Sequence, residues 1–197
     1  MAKKSSKTRK ADDGARSSAA DGATEPSGWR RYRQEIVFVT VFVVILAGGF
    51  TLISWQPVND RVIEPFTGGV AHASSIALNL IGQDTTLRGT GLSNDRFRVN
   101  IKNGCNGVET MIIFLAAVVA FPATWKAKAI GLTVGIVAIQ AVNLIRVVAL
   151  FLTGVYWPSL FDSSHTVIWQ TIVILFGVLL WIFWAQRFAA PVPAAAD

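Results

Sequence analysis

Four stretches of this chain are apolar almost without interruption: Ile36 to Trp55, Val108 to Trp125, Ala129 to Tyr156 and Val167 to Trp184. A helix rises about 1.5 Å per residue and a bilayer's hydrocarbon core is about 30 Å thick, so each stretch predicts a transmembrane helix. Between the first and second stretches the pattern changes twice. From Val62 to Ile81, the residues Phe66, Val70, Ala73, Ala77 and Leu80 recur at helical spacing, while His72, Ser75 and Asn79 fall on another face. That predicts an amphipathic helix lying on the membrane or re-entering it. Next, Thr85 to Leu87 and Phe97 to Lys102 mix apolar and polar positions, the second in strict alternation. Gly89, Gly91, Ser93, Asn94 and Asp95 lie between them, which predicts a small β-hairpin. The expected fold class is therefore an all-α integral membrane protein. It has about four transmembrane helices, an interfacial or re-entrant amphipathic helix and a small extracytoplasmic β-hairpin.

The two ends lack such patterning. Residues 1–28 are rich in Ala, Ser, Lys, Gly and Asp and predict disorder. The expected organisation is a disordered basic cytoplasmic tail over 1–34, a membrane-embedded domain over 35–187 and a short tail over 188–197. No small-residue cleavage site follows the first apolar run convincingly, so that run predicts a retained signal anchor.

Composition agrees with this picture. The chain has 197 residues, 52% hydrophobic and 15% charged, with mean hydropathy +0.48; a soluble domain carries about a quarter charged residues. The net charge of +6 does not point to nucleic acid, because nine of the 18 basic residues precede residue 35, beside the first span. That is a positive-inside signal. The tail, Lys126 with Lys128, and Arg187 all fall on the cytoplasmic side if residues 62–81 do not cross. Arg61, Arg88, Arg96, Arg98 and Lys102 then lie outside. The expected location is the cytoplasmic (inner) membrane, multi-pass, with both termini cytoplasmic. Trp55, Trp125, Trp157 and Trp184 sit near span ends, as interfacial tryptophans do.

Cys105 is the only cysteine, so no intrachain disulfide exists, and no metal-ligand spacing or cofactor motif accompanies it. It lies in Asn103-Gly104-Cys105-Asn106-Gly107-Val108-Glu109, a polar turn meeting an apolar span. Cys105 is 21 residues from Lys126, about 31 Å of helix, and Arg146 is 18 residues from Lys128, about 27 Å. Both therefore reach the same depth, near the outer surface, where His165 opens the last span. Gln140, Asn143 and Arg146 form a slanted polar stripe, which faces protein or a wet cavity rather than lipid. These residues suggest cysteine-based acyl transfer. Helix-terminal N–H groups and Arg146 favour the thiolate, His165 shuttles the proton, and the N–H groups of Asn106 and Gly107 help hold an oxyanion. Two roles stay open for Arg146, oxyanion stabiliser or substrate positioner. Glu109 either pairs with Arg146 or faces the interface.

The motif Asn-Gly-Cys-Asn-Gly-Val-Glu at 103–109, Asn-Leu-Ile-Arg-Val at 143–147 and His165 before the last span together resemble the exosortase/archaeosortase family. Phe-Pro-Ala-Thr-Trp at 121–125 and Ala-Ile-Gln-Ala-Val-Asn at 138–143 look most like its exosortase H branch. The resemblance covers roughly residues 36–186 and implies a membrane-embedded cysteine protease or transpeptidase with a Cys105-Arg146-His165 triad. It further implies partners that are exported proteins ending in a short motif, a hydrophobic span and a basic cluster. For this branch the motif is similar to Ile-Pro-Thr-Leu followed by Trp-Gly. Asn103, Gly104, Asn106, Gly107, Glu109, Gln140 and Asn143 are the expected supporting or substrate-binding residues. Neither metal nor cofactor is expected, and the oligomeric state is not legible. The hairpin leading into Cys105 suggests recognition of the extended motif by strand addition. Two other classes stay open: a non-catalytic scaffold or transporter component in which Arg146 binds an anion or lipid headgroup, and a thiol-dependent lipid acyltransferase.

Overall fold

The computed structural model describes residues 28–188. Residues 1–27 of the tail expected over 1–34, and 189–197 of the tail expected over 188–197, lie outside the described residues. The chain divides into two units, Met1–Val37 and Phe38–Asp197. The described part of the first is helical from Gly28 onward. Apart from the first residues of that helix, everything that follows concerns the second.

Five main helices and one small sheet make up the described fold. Helix α1 spans Gly28–Ser54. A short turn over Gln56–Val58 and a π-helical turn over Asn59–Ile63 lead into α2, Glu64–Leu80. Three strands follow: β1 (Thr86–Arg88), β2 (Gly91–Ser93) and β3 (Arg98–Asn100). Helices α3 (Val108–Ala120), α4 (Trp125–Tyr156) and α5 (Trp169–Phe188) complete the chain.

Among the described residues three helices are long and apolar enough to cross a membrane: Tyr32–Ser54, Trp125–Tyr156 and Trp169–Phe188. The fourth expected span is shorter than its apolar run. Helix α3 has 13 residues, about 20 Å of rise against a core of about 30 Å. The residue before a proline is steered away from helical geometry, and Phe121, before Pro122, is extended at φ −69°, ψ 136°. Four residues later α4 begins, its N-cap Thr124 accepting from the Ala127 N–H at 3.4 Å.

Helix α2 forms where periodicity placed a helix, and its large apolar residues face away from the rest of the protein. Its buried stripe is Thr67, Ala71, Ser74, Ser75 and Leu78, while Phe66, Ile76 and Leu80 (82% exposed) point outward. The inward hydroxyls are satisfied: Thr67 Oγ1 donates to Ile63 O at 2.7 Å, Ser74 Oγ to Val70 O at 2.8 Å, and Ser75 Oγ pairs with Thr85 Oγ1 at 2.9 Å. Small residues inward and large apolar residues outward is the arrangement of a helix whose surroundings are as apolar as its side chains. His72 is exposed on this helix.

The expected hairpin is a three-stranded antiparallel meander, order β1-β2-β3. The segment read as a loop supplies the middle strand. Leu92 pairs with Leu87 on one side and Val99 on the other, and its side chain is fully buried with Leu78 and Phe151. A single buried leucine between small residues is too short a pattern to announce a strand.

Helix α4 organises the rest. Beside α2, Phe66, Gly69 and Val70 share a groove with Gln140, Ala141 and Leu144. Further along, Gln83 Nε2 donates to the Tyr156 hydroxyl at 3.1 Å, so α2 and α4 run the same way. Helices α3 and α5 run against α4. Phe114 packs where Gly135 leaves no room for a Cβ, and Trp184 does the same at Gly131. Trp184 Nε1 donates to Ala127 O at 2.9 Å. These contacts anchor one end of the bundle and bring the starts of α3 and α5 to the other, beside Arg146.

Candidate active site

The Cys105 loop connects β3 to α3. Ile101, buried, donates its N–H to Thr90 O at 3.0 Å, and Cys105 closes a turn by donating to Lys102 O at 2.9 Å. Gly104 (φ 88°) and Gly107 (φ 79°) adopt left-handed backbone, which glycine tolerates without a Cβ penalty. Gly107 is glycine for a second reason: a Cβ there would lie 2.9 Å from Gln140 Nε2 and 3.0 Å from Asn143 Cγ.

Side chains from four directions hold this loop. Fully buried Asn106 donates to Thr67 Oγ1 at 2.9 Å and accepts from the Val108 N–H at 3.1 Å, so it caps the start of α3. Asn103 Nδ2 donates to Asn59 Oδ1 at 3.0 Å. Gln140 Nε2 donates to Asn106 O at 3.3 Å. Glu109 Oε1 accepts from the Gly104 N–H at 2.7 Å, so its carboxylate braces the loop rather than pairing with Arg146.

Arg146 grips the carbonyl of the same residue, Gly104. It is 2% exposed. Its Nη1 donates to Gly104 O at 3.1 Å, and Nη2 approaches Cys105 Sγ at 3.8 Å. His165, in a π-helical turn over Ser164–Ile168 ahead of α5, brings Nε2 to 2.7 Å from Cys105 Sγ. Cys105, Arg146 and His165 thus meet from three separate elements. Asn143 is fully buried one turn below Arg146, and neither its Nδ2 nor its Oδ1 has a partner among the described residues; Arg146 Nε shares that condition.

The electrostatics differ from the expectation of a resting thiolate. Cys105 lies two residues before the α3 cap, Gly107. Burial pushes its thiol above the ordinary range; the Arg146 charge pulls it down, and Glu109 pushes it up again. Burial holds His165 below the ordinary imidazole range, Arg146 adds to that, and Asp162 opposes it. Both shifts favour the uncharged forms, thiol and imidazole, of two groups that lie within hydrogen-bonding distance.

Two residues that matter here were not singled out from the sequence. Thr67 and Asn59 hold the loop through Asn106 and Asn103. Both lie on segments read as span end and interfacial helix, and only tertiary contact reveals their part. Among the described residues no group of three or more His, Cys, Asp or Glu is placed to hold a metal ion.

The family model described as transmembrane exosortase matches residues 26–185. The chain therefore belongs to the transmembrane exosortase family, and with its three long apolar helices it is a multi-pass membrane protein. No curated protein and no solved structure matches it.

Proposed function

We propose that this protein is a membrane-embedded cysteine protease or transpeptidase that cleaves the C-terminal sorting tail of exported proteins. The observation that carries the reading is the 2.7 Å approach of His165 Nε2 to Cys105 Sγ, with Arg146 Nη2 at 3.8 Å from the same sulfur. Cys105 attacks the scissile carbonyl carbon; a C–S bond forms, the carbonyl π electrons move to oxygen, and the thiol proton passes to His165. Collapse of that intermediate breaks the C–N bond, and His165 returns the proton to the departing amine. The thioester on Cys105 is then consumed by an acceptor amine or water.

Arg146 serves the oxyanion in this scheme. Its Nη1 is held by Gly104, and its Nη2 lies 3.8 Å from the sulfur, which puts a donor beside the developing charge. The N–H groups of Asn106 and Gly107 are further candidates. We place the site on the extracytoplasmic side, with the basic tail and Lys126 inside, and assign the chain to the exosortase H branch. The substrate's extended motif adds to the outer edge of β3, which leads directly into the Cys105 loop.

Co-expression with a sorting-tail reporter tests this. Wild-type chain should shorten the reporter, while Cys105→Ala and Cys105→Ser should leave it intact. The reading fails if both variants process the tail as wild type does.

A further inference from the structure

A histidine that works as base needs its ring plane fixed. In thiol and serine enzymes a hydrogen bond from a third polar group usually does this. Here no hydrogen bond reaches His165 Nδ1 among the described residues; Asp162 contributes charge but no bond. The ring face is occupied instead. Phe161, four residues earlier, stacks on the imidazole at 5.8 Å between centroids and 20° between planes.

Phe161 is itself held. Phe97 meets it edge-on at 5.1 Å and 62°, and Phe97 meets buried Phe151 of α4 at 5.7 Å and 76°. These are the favoured edge-to-face distances and tilts. Gly154 makes room for Phe97, since a Cβ there would run into its ring. The position of Phe97 is set by the β2–β3 turn, where Asn94 Oδ1 accepts from the N–H groups of Arg96 at 3.0 Å and Phe97 at 2.8 Å. Four aromatic rings thus run unbroken from α4, through the meander, to the histidine.

The backbone under His165 gives a reason for this brace. Ser164–Ile168 is a single π-helical turn, a register that occurs as an isolated irregularity and often at functional sites. Without an outside hold on the ring, a one-residue shift in that turn re-aims Nε2.

We infer that Phe161 and Phe97 are positioning residues for His165, an aromatic relay through which the β-meander sets whether the imidazole meets the thiol. This rests on the proposed role of His165 as the base for Cys105. It also gives the meander a part in the reaction: whatever docks on β3 moves or steadies Phe97, and with it the base.

The test uses the full chain in membranes and two readouts. The first is tail cleavage. Phe161→Leu, which keeps bulk but loses the stack, should lower kcat about 10- to 100-fold, the scale of a misplacement near 1 Å, with KM little changed. Phe161→Tyr should stay near wild type, and Phe97→Leu should fall between them. The second is the pH dependence of Cys105 alkylation, unambiguous in a chain with one cysteine. The charged groups near the pair, Arg146 from α4, Glu109 from α3 and Asp162 beside the turn, are unchanged in every variant. Phe161→Leu should shift the alkylation profile toward that of His165→Ala and add nothing in the His165→Ala background. Wild-type kcat and profile in both Phe161→Leu and Phe97→Leu would overturn the relay, as would a further change of profile by Phe161→Leu when His165 is absent. If Phe161→Leu does not accumulate, Phe97→Leu carries the test. Failure of the underlying enzyme reading is separate: Cys105→Ala and His165→Ala would then process the tail normally.

Discussion

The two ends of the helix bundle are built on opposite principles. At the Trp184 end, Phe114, Val118, Ala127, Ile139 and Trp184 form a buried apolar cluster, with aromatic rings pressed onto bare glycine backbone at Gly131 and Gly135. Phe121 joins it edge-on to Trp181 at 5.8 Å and to Trp184 at 5.9 Å. At the Cys105 end, a buried arginine, a buried asparagine without side-chain partners among the described residues, two left-handed glycines and a π-helical turn crowd around one thiol. The first end gains its stability from close packing without lipid between the helices. The second leaves desolvated polar atoms without partners among the described residues, and it is there that we place the proposed chemistry. Close packing and the proposed chemistry thus fall at different ends of the same three helices.

That division can be broken by substitutions that should act on one property only. The largest effect is expected at the sulfur. Cys105→Ala should reduce tail processing at least about 10³-fold, as loss of a nucleophile does, with detergent melting temperature unchanged. Next comes Arg146→Gln, which should cost about 10²- to 10³-fold in kcat if the guanidinium serves the oxyanion. Because Arg146 pulls the Cys105 thiol down, the same variant should move the alkylation profile to higher pH.

At the other end the expected changes are thermal. Gly135→Leu drives a side chain into Phe114 and should cost about 1–3 kcal/mol of stability, the usual range for overpacking, while the surviving protein keeps its turnover. Trp184→Phe removes the 2.9 Å bond to Ala127 O and should cost about 1 kcal/mol. A loss of kcat in either folded variant would blur the comparison. The smallest effect is expected from Glu109→Gln. It keeps an acceptor for the Gly104 N–H but removes a charge that pushes the Cys105 thiol upward. Alkylation should then shift slightly to lower pH with little change in fold.

Much of this arrangement was legible as counts of residues along the chain. The arithmetic from Lys126 and Lys128 put Cys105 and Arg146 at one depth, and the structure brings them together. For Cys105 the route is different. It assumed helix throughout, whereas α3 is only 13 residues, about 20 Å, and ends at extended Phe121 before Pro122. What α2 buries was not legible, because its inward stripe is Thr67, Ala71, Ser74, Ser75 and Leu78 rather than an apolar run. Nor was strand β2, whose one buried residue, Leu92, takes meaning only from Leu78 and Phe151. The Phe97–Phe161–His165 stack joins residues from distant parts of the chain and leaves no periodic trace in it.

The central claim is that Cys105 carries the acyl group. The most direct measurement is mass spectrometry of the Cys105 peptide after the membrane-embedded chain meets a sorting-tail substrate. The account predicts a hydroxylamine-sensitive adduct on Cys105, with the mass of the substrate portion upstream of the cleavage point. An unmodified Cys105 in the wild-type chain under conditions of steady tail cleavage, together with undiminished cleavage by Cys105→Ala, would contradict it.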